Sequence, residues 1–211
     1  GDIAPVEKIV DLAKKNGALT YLDEVHAIGL YGPQGAGIAS LKNAHIDIIQ
    51  GTLGKAFAQC GGYIVANKTI IDAVRSFGDG FIFTTALPPA ILAGALAGLE
   101  IIKKSTSLRD KIAVNTNKLK ALFERHHLPI LPSSCHIIPL MVGNAFACKE
   151  ISSRLLKEYY IYIQPINYPT VARGLERLRI TINPAHDEQM MHDLVDAIKH
   201  LWHQLGLDEA F

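Results

Sequence analysis

Two stretches decide the fold: Ala18-Leu19-Thr20-Tyr21-Leu22-Asp23-Glu24-Val25-His26 and Ile46-Asp47-Ile48-Ile49-Gln50-Gly51-Thr52-Leu53-Gly54-Lys55. Each apolar run is too short for a buried helix and is cut off by Gly or polar residues. Each therefore reads as a buried strand ending in reactive side chains. The first delivers Asp23 and His26 to its end, the second Thr52 and Lys55.

Before these strands, Val6, Ile9, Val10, Leu12 and Ala13 mark an amphipathic helix that starts at Pro5 and stops at Asn16-Gly17. No strand precedes it and residue 1 is Gly rather than Met, so a further N-terminal portion is expected. Between the two strands, the loop 29–37 holds Gly32, Gly35 and Gly37 and superficially resembles a dinucleotide fingerprint. Pro33 interrupts it and no acidic-ended strand follows at the right distance, so it reads as a loop shaped by glycine.

Beyond Lys55 the pattern predicts a strand over 60–66, a short helix over 69–77 and an aromatic, β-branched strand over 81–85 closed by Thr84 and Thr85. Pro88 and Pro89 start a long apolar helix to Lys104, and a second helix spans 108–126. This alternation predicts an α/β fold with a mainly parallel sheet over residues 1–100. Strands over 136–142, 160–166 and 177–182, with helices over 145–159 and 187–205, predict a smaller α+β domain in residues 101–211.

Composition narrows the function classes. The 211 residues are 49% hydrophobic, as expected of a globular core. The net charge of +1 balances 21 basic against 20 acidic residues, leaving no field for nucleic acid or a membrane surface. Apolar runs such as 90–99 fall short of the roughly 20 residues that span a bilayer. Nine histidines form no metal-binding motif, and Cys60, Cys135 and Cys148 lack metal spacing. An odd cysteine count points to a reducing compartment. The expected compartment is the bacterial cytoplasm, with the mitochondrial matrix as the alternative that the cysteines do not separate from it.

Taken singly, the strand-end residues have ordinary readings: a solvated lysine, an aspartate in a turn, a histidine in a loop and threonines that favour β structure. Together they suggest more. A lysine desolvated after a buried strand is an amine nucleophile of the kind a Schiff base to a carbonyl cofactor requires. Asp23 fits the anion that keeps a pyridine nitrogen protonated, so that pyridoxal phosphate acts as an electron sink. His26 is placed to meet the ring hydroxyl, and Thr52, Thr84 and Thr85 are hydroxyl donors for phosphate. Arg177 and Arg179 alternate along a strand and are expected to face opposite sides, one of them gripping a carboxylate.

The blocks Asp23-Glu24-Val25-His26-Ala27 with Tyr31-Gly32-Pro33, Gly51-Thr52-Leu53-Gly54-Lys55-Ala56, Gly61-Gly62-Tyr63-Ile64 and Phe81-Ile82-Phe83-Thr84-Thr85 with Leu87-Pro88-Pro89 closely resemble the α-oxoamine synthases, pyridoxal-phosphate enzymes of fold type I. Gln164-Pro165-Ile166-Asn167-Tyr168-Pro169-Thr170-Val171, Arg173-Gly174 and Glu176-Arg177-Leu178-Arg179 resemble the branch that condenses glycine with succinyl-CoA to 5-aminolevulinate, CoA and carbon dioxide. The resemblance implies that Lys55 binds the cofactor and moves the glycine α-proton, Asp23 pairs with the pyridinium and His26 contacts the ring hydroxyl. It further implies Thr52 at the phosphate, Thr84 with Thr85 at the phosphate of a partner's cofactor, Arg179 on the glycine carboxylate and Thr170 on that of succinyl-CoA, in a homodimer with its site at the subunit interface. Ala86 replaces the family's serine, and Thr181-Ile182-Asn183-Pro184-Ala185-His186 departs from its usual turn. The likeness covers about the second half of a family member, so the chain by itself is expected to be poorly active. A relative using acetyl-CoA or pimeloyl-CoA, or a non-catalytic dimerisation fragment, is the alternative reading.

Overall fold

The computed structural model describes residues 1–207. It divides into two compact units, one of Ala4–Arg109 and one of Gly1–Ile3 with the chain from Asp110 onward.

The first unit opens with helix α1 (Val6–Lys15), which buries Val6 and Val10 one turn apart; Gly17, at φ 61°, turns the chain out of it. Strand β1 (Tyr21–Asp23) follows, then the glycine loop with a 3-10 turn at Pro33–Gly35, helix α2 (Ile38–Leu41) and strand β2 (Ile48–Thr52). The two strands pair in parallel with Asp23 opposite Gln50, so both leave the sheet at the same edge. Strand β3 (Gly62–Ala66) joins β2 antiparallel and sets Gly51 opposite Tyr63. A Cβ at Gly51 would fall on the Tyr63 ring, so a larger residue there displaces the phenol. The α/β class holds, with a mixed sheet of one parallel and one antiparallel ladder.

Helices α3 (Lys68–Phe77), α4 (Asp79–Ile82) and α5 (Pro89–Lys104) complete the unit. The strand expected over 81–85 does not form. Phe81 and Ile82 lie in α4, where their amides bond back to the Gly78 carbonyl at 2.8 and 2.9 Å, and Thr84 and Thr85 lie in the irregular link to α5. β-propensity is realised only against a neighbouring strand, and this sheet ends at β3.

The second unit contains most of helix α6 (Thr106–Arg125), then strand β4 (Ile137–Met141), helix α7 (Ala145–Tyr159), strands β5 (Gln164–Ile166) and β6 (Arg177–Thr181), and helix α8 (Glu188–Gln204). Its sheet, ordered β4-β6-β5, is antiparallel throughout. Ile138 faces Ile180 and Leu140 faces Leu178 across the ladder, and these four pack with Phe123, Ile151, Leu155 and Ile198 from the helices. Asn144 caps α7 by accepting the Ala147 amide at 2.9 Å, and Asp187 caps α8 through the Met190 amide at 2.8 Å. Such caps are each worth about 1 kcal/mol.

Strand β6 corrects one expectation. Arg177 and Arg179 share a face, because strand side chains repeat every second residue; Leu178 and Ile180 take the buried side. No described helix is long and apolar enough to cross a membrane.

Candidate active site

Asp23 ends β1 with its carboxylate exposed, and Oδ1 accepts the Val25 amide at 2.9 Å, which fixes the side chain to the turn that follows. Thr52 ends β2. Its hydroxyl accepts the Gly54 amide at 3.0 Å and donates to the Gly61 carbonyl at 3.3 Å, shaping the turn that carries Lys55. Since β1 and β2 are parallel, Asp23, His26, Thr52 and Lys55 all emerge at the carboxyl edge, where open α/β sheets bind ligands.

Lys55 is exposed, which corrects the expectation of a desolvated amine. Leu53 and Phe57 on either side turn inward and are buried, while the flanking Gly54 and Ala56 are too small to cover the ammonium. Among the described residues, no hydrogen bond or ion pair engages Nζ, and Asp23 forms no ion pair with it. His26 lies in the turn after β1 and is exposed.

The residue between Asp23 and that turn carries a role that motif reading missed. Glu24 is only 1% exposed, and its two carboxylate oxygens accept the Ile38 amide at 2.9 Å and the Ala39 amide at 2.7 Å. It therefore supplies from a distance the N-terminal acceptors that Gly37 cannot give α2. The signal in sequence was a helix start without Ser, Thr, Asp or Asn. Gly37 holds φ 99°, and a Cβ there would lie 2.7 Å from Glu24 Oε1, so acid and glycine are matched. Burial, with the Glu24 charge, also pushes the Tyr63 phenol above its ordinary pKa.

Thr84 and Thr85 belong to the same unit but are exposed in the link before α5, off the sheet. Thr170 and Arg179 lie in the second unit. Thr170 sits in the loop 167–176 between β5 and β6, its amide donating to the Asn167 carbonyl at 3.0 Å. Buried Glu176 secures the end of that loop, with Oε2 accepting the Gly174 amide at 2.9 Å. Arg179 is exposed on β6 and stands directly opposite Gln164 of β5, a neighbour that only strand register reveals.

A profile of the family described as aminotransferase class I and II matches residues 1–198. The 5-aminolevulinate synthase of Bradyrhizobium diazoefficiens is 53% identical over 209 residues, which cover 98% of this chain and 51% of that protein. The mitochondrial 5-aminolevulinate synthase of Emericella nidulans is 44% identical over 230 residues, covering 100% of this chain and 36% of that protein. The chain thus spans about half the length of the bacterial relative. Among solved structures, a serine palmitoyltransferase from S. paucimobilis with bound PLP is similar at a TM-score of 0.89 and 26% identity, covering 98% of this chain and 53% of that one.

Proposed function

The chain belongs to the aminotransferase class I and II family, and from that membership we propose that its protein is a pyridoxal-phosphate-dependent acyltransferase, a 5-aminolevulinate synthase. The observation that carries the reading is an acid and an amine, Asp23 and Lys55, at one carboxyl edge of parallel strands without neutralising each other. An exposed ion pair is worth only about 0–1 kcal/mol, so little is lost by leaving both groups to a ligand that needs an acid and an amine.

Pyridoxal phosphate fits this donor set: an aldehyde carbon for the Lys55 amine, a ring nitrogen for the Asp23 carboxylate, a ring hydroxyl for His26 and a phosphate for hydroxyls such as Thr52. Bound there, it supplies an electron sink for charge developing at the substrate α-carbon. The Asp23 carboxylate favours a proton on the ring nitrogen, and the Lys55 amine carries the proton to and from the glycine α-carbon. Arg179 orients glycine by its carboxylate through a planar fork of N–H donors. Thr170 binds the distal carboxylate of succinyl-CoA, and the acyl group passes to glycine with release of CoA and carbon dioxide.

In the same reading residues 1–100 are the later part of the cofactor-binding domain and residues 101–211 the small domain. Further protein covers the first unit. No residue of α5 is buried, and Phe77 and Phe83 are 82% and 84% exposed, a face for the rest of the protein or a partner subunit to cover. The reading makes the protein a homodimer in which Thr84 and Thr85 reach the partner's cofactor phosphate. The reading places the enzyme in the bacterial cytoplasm.

The test is turnover of the full-length protein with glycine and a panel of acyl-CoAs. Succinyl-CoA is expected to give the highest kcat/KM. Equal or better use of acetyl-CoA or pimeloyl-CoA would move the protein to a neighbouring synthase of the same family.

A further inference from the structure

The loop 167–176 that carries Thr170 is built of two short turns, each fixed to the second unit on its own. In the first, the Asn167 carbonyl accepts the Thr170 amide at 3.0 Å and the Val171 amide at 3.4 Å, and Asn167 Nδ2 donates to the Ala145 carbonyl of α7 at 3.2 Å. In the second, the Leu175 amide donates to the Ala172 carbonyl at 3.0 Å, and buried Glu176 accepts the Gly174 amide at 2.9 Å. Among the described residues, no hydrogen bond or ion pair joins one turn to the other, and no carboxylate draws Arg173 elsewhere. What crosses between the turns is the Arg173 guanidinium, whose carbon lies 5.1 Å from the centre of the Tyr168 ring. That is the distance of a cation–π contact.

We propose that Arg173 and Tyr168 are positioning residues for the distal carboxylate of the acyl-CoA: their stack ties the two turns together and so holds the Thr170 hydroxyl in one place. The proposal rests on the reading of Thr170 given above and extends it to two side chains that have no role there. Residues 168 and 173 bracket Thr170, so a contact between them closes the chain on itself around that hydroxyl. Thr170 and Tyr168 are both exposed, and core packing does not fix the apex for them. Exposed turns with few hydrogen bonds open at little cost. A contact made before the ligand arrives removes that freedom in advance, and less ordering is left for the binding step. A guanidinium suits an exposed loop because its face lies on the ring while its edge donors stay in water.

The experiment uses the full-length protein with its cofactor. Calorimetry gives the Kd of succinyl-CoA and of butyryl-CoA, which has the same acyl length without the distal carboxylate, and turnover with succinyl-CoA gives KM and kcat. The ratio of the two Kd values measures the preference for the carboxylate. Arg173→Met and Tyr168→Leu are each expected to lower that preference about twofold to fivefold, the range of one exposed cation–π contact, with KM raised and kcat little changed. The double variant is expected to fall no further than the lower single, because both changes remove the same contact. Tyr168→Phe keeps the ring face and is expected to recover the preference. An unchanged preference in Tyr168→Leu overturns the proposal, and a loss confined to Arg173→Met shows instead that the guanidinium acts on the substrate by its own charge. Losses that multiply in the double variant overturn it as well. Thr170→Val separates the two levels. An unchanged preference there overturns the Thr170 assignment itself, whereas a lowered one beside an unaffected Tyr168→Leu overturns the role of the stack alone.

Discussion

Replacing Glu24 asks whether the glycine loop beside Asp23 is built on a buried carboxylate. Glu24 is 1% exposed and each of its oxygens accepts one backbone amide of α2, at 2.9 and 2.7 Å. Hydrogen bonds to a charged partner contribute about 1.5–3 kcal/mol each, and a buried donor left unmatched costs a similar amount. Glu24→Ala removes both acceptors and is expected to cost about 3–5 kcal/mol. Glu24→Gln keeps one acceptor and turns an NH2 group toward the second amide, for a loss of about 2 kcal/mol. Against a domain stability of about 5–15 kcal/mol, either change is visible in urea denaturation of the full-length protein. Hydrogen exchange localises the effect, because the Ile38 and Ala39 amides lose protection before the sheet does. Unchanged denaturation midpoints in both variants, with the two amides exchanging as in the parent, would refute the reasoning.

Phe123 is wholly buried in the second unit, so Phe123→Ala is expected to cost about 3–5 kcal/mol in urea denaturation; a loss below about 1 kcal/mol would contradict the packing described. Burial pushes the His186 imidazole below its usual 6.5, so the unfolded chain takes up a proton first and stability falls as pH drops below about 6.5. His186→Gln is expected to flatten that part of the dependence, and thermal melts between about pH 7 and pH 5 with equal slopes would count against it. Burial also raises the Cys148 thiol to about 11, so iodoacetamide at about pH 8 should leave Cys148 unmodified in the folded protein and alkylate it in urea; mass spectrometry of the peptide decides.

Features carried by local pattern were legible in the sequence. The helix expected over 145–159 coincides with α7, because an Asn cap and a clear apolar face set its limits. β1 and β2 appeared as apolar runs, and their parallel pairing makes a common edge of Asp23 and Lys55. What depends on neighbours was not legible. The aromatic run before Thr84 has strand propensity but no strand to pair with, so it closes a helical turn instead. The covering of Lys55 depends on which way Leu53 and Phe57 turn. The shared face of Arg177 and Arg179, by contrast, follows from their spacing of two alone. Glu24 acts 14 residues away on Ile38, and Gln164 meets Arg179 only through the β5–β6 register, contacts that no motif encodes.

The most direct test of the account is covalent trapping at Lys55. Full-length protein is incubated with pyridoxal phosphate, reduced with borohydride, digested and mapped by mass spectrometry. The account predicts one stable pyridoxyl label, on Lys55, and its loss in Lys55→Ala. A protein that takes up no label, or takes it up on another lysine while Lys55 stays free, would contradict it.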